Sequence, residues 1–244
     1  MNQAEPSNRT NLDNPIWAAL TTTQAHLGQG DALARRYFSD VAPFAALAGN
    51  TPDAYRSLHQ LLQPGEQVGL LSAERVTPID ELRAIHVGAL HQMVATRSGA
   101  GETSGQDVIR LTEADVDDML ALVQQTKPGP FARRTREMGH YIGIRDNGRL
   151  IAMAGERMHV DGYVEISAVC VDDAWRGKGL AGRLMTILRN EIERRGETPF
   201  LHVLGENISA IGLYERLGFT LRRTFVLSRI ALNTADEQST VTRT

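Results

Sequence analysis

Apolar residues recur at two spacings along the second half of the chain, and the alternation between them predicts the order of elements. Strand-like stretches, one pair joined by the hairpin signal Asp146-Asn147-Gly148, are expected at about 108–111, 140–146, 149–159, 162–171, 199–204 and 222–232. Helical spacing predicts helices at about 112–125, 131–138, 179–195 and 209–217. The order β-α-α-β-β-β-α-β-α-β predicts an α/β sheet with helices packed on it.

The first half contains fewer elements. Asn14 and Pro15 predict the start of one helix, and Thr51-Pro52 predicts a second that ends by Gly65. Strands are expected at about 67–76 and 85–96. We find no catalytic constellation in this half.

Three polar stretches divide the chain. Residues 1–12 and 233–244 have no periodicity and are expected to be disordered tails. Residues 97–106 are rich in Gly, Ser and Thr and are typical of a linker. We therefore expect a smaller α/β accessory half at 13–96 and a main unit at 107–232.

Composition limits the partners and the cellular compartment. Hydrophobic residues make up 42% of the chain and charged residues 23%, which is typical of a globular protein. With a net charge of −3, the chain gives no reason to expect a basic surface that binds nucleic acid or an anionic membrane. The single cysteine, Cys170, excludes an intrachain disulfide and a multi-thiolate metal site, and we expect it in the core. We see no signal peptide and no apolar run long enough to span a membrane, so we expect a cytoplasmic protein. We also expect no metal.

The glycine-dense turn after the strand at 162–171 is the most informative segment. Glycines allow close approach of a ligand, and the free N–H groups of the helix that follows favour an anion such as a pyrophosphate. Gly177-x-Gly179-x-x-Gly182 also satisfies a dinucleotide-binding fingerprint, with Glu206 further on. Two features count against a Rossmann-type dinucleotide binder. A loop, 172–176, separates the strand from the first glycine, and too little chain follows for that fold.

Two motifs carry a more specific resemblance. Arg176-Gly177-Lys178-Gly179-Leu180-Ala181 matches the pattern R/Q-x-x-G-x-G/A, and the segment from Asn207 to Phe219 matches N-x-x-A-x-x-L-Y-x-x-x-G-F. In this order, the motifs resemble the GNAT superfamily of N-acetyltransferases over about 125 residues. The resemblance implies a mixed, mostly antiparallel sheet with helices on both faces, and acetyl-CoA as cosubstrate.

The resemblance also implies a set of binding groups for acetyl-CoA. The pyrophosphate would rest on the turn, with Arg176 and Lys178 adding positive charge. The pantetheine arm would lie along the strand before it, and Asn207 would contact the arm through its side-chain amide. The backbone groups implied for the two parts of the cofactor belong to Ala168, Val169, Val171, Gly177, Lys178, Gly179, Leu180 and Ala181.

Acetyl transfer to an amine also requires proton transfer. Glu165 lies eleven residues before Arg176, the separation at which histone-type members of the family carry a glutamate base. Strand alternation predicts that it shares a face with Ser167 and Val169. Glu156 is the alternative base and His140 a third candidate. The resemblance makes Tyr214 the general acid, on one helical face with Asn207, and the Val169 N–H the oxyanion donor.

The expected function is transfer of acetyl from acetyl-CoA to a small-molecule or peptide amine by direct attack in a ternary complex. A non-catalytic CoA-binding module stays open as an alternative. The layout is similar to that of glycine N-acyltransferase-type proteins, and the first half could be a degenerate second unit, a lid or a homodimer surface. A group of basic residues at 133–136 consists of Arg133, Arg134 and Arg136. This group could attract an acceptor that bears a carboxylate.

Overall fold

The computed structural model describes residues 8–96, 105 and 107–233. The strands are β1 Gly28–Gly30, β2 Ala34–Tyr37, β3 Phe44–Leu47, β4 Gln67–Ser72, β5 Leu82–Ala95, β6 Val108–Leu111, β7 Tyr141–Asp146, β8 Arg149–Val160, β9 Tyr163–Val171, β10 Thr198–Leu204 and β11 Phe219–Leu232. The α-helices are α1 Pro15–Thr21, α2 Pro52–Leu61, α3 Val116–Thr126, α4 Leu180–Arg194 and α5 Ile208–Arg216.

All of these strands belong to one sheet, in the order β1-β2-β3-β4-β11-β5-β10-β9-β8-β7-β6. Among the described strands, only β3 with β4 and β9 with β10 run parallel. The predicted mixed, mostly antiparallel α/β architecture is therefore confirmed. A dinucleotide fold needs a run of consecutive parallel strands, so the Rossmann-type alternative is wrong.

Strand β5 comes from the first half of the chain but lies in the middle of the sheet. It pairs antiparallel with β10 on one side, from Phe200 opposite Val94 to Leu204 opposite Leu90. On the other side it pairs with β11 along almost its whole length. The two halves of the sequence thus share a single sheet.

Helices cover both faces of this sheet. Helix α4 places its apolar stripe, Leu184, Leu188 and Ile192, on one face. Helix α3 covers the opposite face near β7 and β8 through Met119 and Leu122. Helix α1 extends that second layer over β8 and β3, and α2 closes the core beside β2 and β3.

Of the two capping residues that the sequence predicts in the first half of the chain, only one caps its helix. Thr51 caps α2 as expected, since its hydroxyl accepts a hydrogen bond from the Ala54 N–H at 3.2 Å. Asn14 does not cap α1, because its amide instead donates to the Leu47 carbonyl at 2.8 Å. That bond ties α1 to β3.

Several local expectations are wrong. Residues 131–138 do not form a helix, and only Thr135–Met138 makes a short 3-10 turn. Asn8–Asp13 is a 3-10 helix with Leu12 fully buried, although no structure was expected before residue 13. Strands β1 to β3 were missed because they are only three or four residues long. The expected disorder at 1–7 and 234–244, and the linker apart from Gly105, lie outside the described residues.

Candidate active site

The turn between β9 and α4 combines glycine conformations with open space. Gly177 and Gly179 both have φ of +76°, in the left-handed region that glycine adopts without strain. A Cβ at either position would meet nothing within 4 Å, so the turn offers its backbone to the outside. The Lys178 Nζ lies 4.0 Å from the centroid of the Trp175 ring. The Arg176 guanidinium forms an ion pair with the Asp173 carboxylate, with an N–O distance of 2.7 Å. The motif therefore forms an exposed loop with unpaired helix N–H groups and two cations.

Strands β9 and β10 separate soon after they meet. They pair in parallel at only three positions, from Tyr163 opposite Thr198 to Glu165 opposite Phe200. Beyond these, β10 pairs with β5, and β9 pairs with β8. Among the described strands, none fills the gap between 166–171 and 201–204. The backbone edge of β9 is thus available to an extended ligand, and the groups predicted to bind pantetheine lie along it.

A β-bulge distorts β9 at the start of this gap. Ala168 has φ of +52°, and the register with β8 shifts between the pairs Gly155–Ser167 and Met153–Cys170. The extra residue reverses the alternation, so Val169 packs toward α4 while Cys170 packs toward α3. The prediction that Glu165 and Val169 share a face is therefore wrong. The bulge also leaves backbone groups near Val169 outside the regular ladder.

Glu165 lies in a buried charged cluster, which we call the Glu165 cluster and define as Glu165, Arg157, His202 and Gln92. Arg157 donates to both carboxylate oxygens, at 2.8 and 2.6 Å, and His202 Nδ1 lies 2.8 Å from Oε1. His202 Nε2 lies 3.2 Å from the Gln92 amide. Burial alone would raise the pKa of Glu165, but the Arg157 charge and the hydrogen bonds from Arg157 and His202 lower it to about 2.

Glu156 lies apart from this cluster. Its carboxylate contacts Arg195 at 2.7 Å, just beyond the C-terminus of α4, and His159 at 3.4 Å. It also accepts a hydrogen bond at 3.3 Å from the backbone N–H of His140, the residue named above as the third candidate base. Burial acts to raise the pKa of Glu156, whereas the bonds from His159 and Arg195 lower it to about 2. Both candidate bases are therefore ionised and paired with arginine.

These two carboxylates predict an acid-sensitive fold. A folded-state pKa of about 2 lies below the usual value near 4.3, so each group stabilises the protein above pH 5 and loses that contribution as pH falls toward 2. The expected loss in the free energy of unfolding is on the order of 3 kcal/mol for each group. Urea unfolding at pH 7, 5, 4 and 3 measures it.

A Glu156→Gln variant provides the internal control for this pH dependence. It lacks one of the two titrating carboxylates, so its free energy of unfolding should decline less steeply between pH 5 and 3 than that of the unsubstituted chain. Equal slopes for the two proteins would contradict the assignment.

The second motif places Asn207 and Tyr214 on α5. Asn207 caps the helix, with its Oδ1 accepting from the Ala210 N–H at 3.2 Å. Tyr214 is half-buried, with its ring 6.4 Å from that of Phe219 in an edge-on arrangement. Burial raises the pKa of Tyr214, so its hydroxyl stays protonated and could donate a proton.

The basic group at 133–136 is neutralised by neighbouring acids. Arg133 pairs with Asp117 at 2.6 Å, Arg134 with Glu137 at 2.8 Å, and Arg136 with Glu113 at 3.1 Å. These pairs are at the surface, so the group is a solvated face and gives no support for a carboxylate-bearing acceptor.

The structure adds residues that the sequence analysis missed. Arg157 and His202 belong to the Glu165 cluster, yet neither is part of a recognised motif. A polar His202 in an otherwise apolar strand was the available signal. Cys170 is buried as expected, and burial raises the pKa of its thiol to about 11. In the described part of the chain, no group of three potential metal ligands occurs and no helix is long and apolar enough to cross a membrane.

Comparison with known proteins gives consistent matches. The family described as FR47-like protein matches residues 141–227. The N-alpha-acetyltransferase RimI of Mycobacterium tuberculosis is 33% identical over 121 residues, which are 45% of this chain and 75% of that protein. The ribosomal protein bS18-alanine N-acetyltransferase of Escherichia coli K12 is 35% identical over 99 residues, 39% of this chain and 66% of that one.

A solved structure extends the similarity to the first half of the chain. It comes from Novosphingobium aromaticivorans and is described as an acetyltransferase of the GNAT family. It matches with a TM-score of 0.85 at 39% identity and covers 91% of this chain and 99% of that one.

Proposed function

Because this chain belongs to the GNAT superfamily of N-acetyltransferases and is an acyltransferase, we propose that it moves an acetyl group from acetyl-CoA to a primary amine by direct attack in a ternary complex. The observation that carries this proposal is the order of features along β9 and α4. The gap beside β10, the bulge at Ala168 and the glycine turn follow one another, so an extended ligand with a diphosphate fits along them.

Acetyl-CoA binding is assigned to backbone groups. The open turn fits a pyrophosphate, held by the N–H groups from Gly177 to Ala181 with Arg176 and Lys178 nearby. The free edge of β9 would bind the pantetheine arm through Ala168, Val169 and Val171. Asn207 would contact the arm with its amide nitrogen, since its oxygen already caps α5.

The transfer step then needs three contributions from the chain. The amine nitrogen attacks the thioester carbon, and the Val169 N–H, beside the bulge, stabilises the oxyanion that forms. Collapse of this intermediate breaks the carbon–sulfur bond, and the departing thiolate takes the phenolic proton of Tyr214. The nitrogen's surplus proton passes to a base.

We assign that base to Glu165, reached through a water molecule rather than by direct contact with the amine. A carboxylate with a pKa of about 2, already bound to Arg157, is a poor direct acceptor for an amine proton. His202 does not relay the proton, because its Nδ1 faces Glu165 and its Nε2 accepts from the Gln92 amide, whose oxygen is bound by Arg222. Glu156 directly precedes Arg157 on β8 but is paired with Arg195, beyond the C-terminus of α4, which argues against it as the base.

The names of two relatives indicate which acceptor to test first. One is an N-alpha-acetyltransferase and the other acetylates an alanine of a ribosomal protein. We therefore propose the α-amino group of a peptide or protein N-terminus as the acceptor class.

The test is transfer of labelled acetyl from acetyl-CoA. Hexapeptides beginning with alanine, free alanine, spermidine and a bacterial cell extract would serve as acceptors, with mass spectrometry locating the label. We expect labelled peptide and amine-dependent release of CoA thiol. Acetyl-CoA binding without transfer to any acceptor would indicate a non-catalytic CoA-binding module instead.

Substituting Gly179 tests the assignment of the turn. Gly179→Ala forces a side chain into the left-handed region and distorts the backbone proposed to hold the pyrophosphate. We expect the Kd for acetyl-CoA, measured by calorimetry, to rise about tenfold or more.

Gly65→Ala is the matched control for this substitution. Gly65 has φ of +83° and open surroundings, but it lies in the turn before β4, away from the site. It should show a similar loss of stability with an unchanged Kd. An equal change in Kd for both variants would contradict the assignment.

A further inference from the structure

The Tyr141 ring crosses from β7 toward the bulge in β9. Tyr141 is paired with Gly155 on β8, and Gly155 is paired with Ser167 on β9. A Cβ on Gly155 would come within 2.2 Å of the ring atoms Cδ1 and Cε1 of Tyr141. The ring therefore lies across β8 at a position that only glycine permits, and its hydroxyl end reaches toward β9.

The hydroxyl of Tyr141 has no hydrogen-bond partner among residues 8–96, 105 and 107–233, although the side chain is 1% exposed. Other buried tyrosines satisfy theirs: Tyr37 donates to Gln24 at 2.7 Å and Tyr55 to Asn50 at 2.8 Å. Leaving a buried hydroxyl unpaired costs stability. A buried group without a partner in the chain pairs with water or with a ligand, and this one borders the bulge in β9.

The surroundings of this hydroxyl restrict what that partner can be. The Phe131 ring stands edge-on at 5.6 Å, and Cys170 and Met153 complete an apolar wall. The charges that act on Tyr141 most strongly belong to Arg157 and Glu165, which neutralise each other. Burial raises the pKa of Tyr141, so the hydroxyl is uncharged. Such a site accommodates a neutral nitrogen and disfavours an ammonium ion, which would lose its hydration.

We propose that the Tyr141 hydroxyl binds the reacting nitrogen of the acceptor, accepting a hydrogen bond from the neutral primary amine and orienting its lone pair toward the bulge at Ala168. The orphaned hydroxyl and the ring that passes over Gly155 carry this inference. It rests on the proposed function and adds a substrate-binding residue to it. Tyr141 thereby selects the protonation state of the amine that can attack.

Tyr141→Phe in the full chain tests the proposal because it removes only the unpaired oxygen. The probes are an alanine-starting hexapeptide and the cell extract, with labelled acetyl-CoA as donor. We expect kcat/KM for the amine to fall about tenfold, which is about 1.4 kcal/mol of transition-state binding. The Kd for acetyl-CoA should not change, and Tm should stay the same or rise by about 2 °C.

Tyr55→Phe is the matched control. It removes a paired hydroxyl on α2, so Tm should fall by about 2–4 °C while kcat/KM stays unchanged. A Tyr141→Phe enzyme with full kcat/KM, or one that loses stability as the control does, would overturn the inference alone. If the unsubstituted chain bound no acetyl-CoA and labelled neither probe, the proposed function would fail and this inference with it.

Discussion

Replacing Arg157 with methionine should lower the free energy of unfolding at pH 7 by about 3–5 kcal/mol. The guanidinium makes two hydrogen bonds to Glu165, whose side chain is 0% exposed. Without its partner the carboxylate would remain buried and uncompensated, and its pKa would rise. Urea unfolding monitored by circular dichroism measures the loss.

Two further variants separate a buried pair from a general effect of losing arginine. Arg133→Met removes an exposed partner of Asp117 and should leave stability almost unchanged. Arg157→Met combined with Glu165→Leu replaces both charges with apolar groups and should recover most of the loss. The deficit of the single variant should also shrink as pH falls from 7, because its carboxylate, with a raised pKa, becomes protonated at a higher pH than an ordinary glutamate. An Arg133→Met variant as unstable as Arg157→Met would refute this explanation.

Tyr214→Phe should reduce kcat by about 100-fold or more and leave the Kd for acetyl-CoA unchanged. The hydroxyl is the proposed proton donor to the leaving sulfur, and burial keeps it protonated. The aromatic contact with Phe219 survives the substitution, so the position of α5 should persist. Release of free thiol in the presence of the acceptor measures kcat, and calorimetry measures Kd.

Tyr163→Phe is the control for the general loss of a phenol. Tyr163 begins β9, at the end of the strand opposite the bulge, so kcat should stay within a factor of two. If Tyr214→Phe also kept its kcat, another group or a water molecule would have to protonate the thiolate.

Most elements of the second half could be predicted from the sequence because their apolar spacing is strong. Helix α4 and strands β7 to β10 lie within about two residues of the predicted bounds. Residues 131–134 do not form the helix that was expected after Pro130. The Ala132 N–H instead donates to the Thr135 hydroxyl at 2.7 Å. Such local side-chain bonds compete with helix geometry and leave no periodic signal.

The candidate site could be predicted only where it rests on short motifs. The glycine turn and α5 depend on local sequence, so Gly179 and Tyr214 could be identified without a structure. The partners of Glu165 come from β8 and β10, and that pairing depends on the register of the sheet. Register was also the cause of the error about Val169, since a single positive φ at Ala168 reverses the strand's alternation.

The central position of β5 has a consequence for biosynthesis. Val94 leaves the ribosome long before Phe200 and Thr220, the residues that later flank it. Until then both edges of this long strand are open, and exposed edges invite contact with other nascent chains. Contacts so distant in sequence slow folding. Association between nascent chains is therefore favoured until β10 and β11 are made, and residues 107–233 alone would lack the strand that separates β10 from β11.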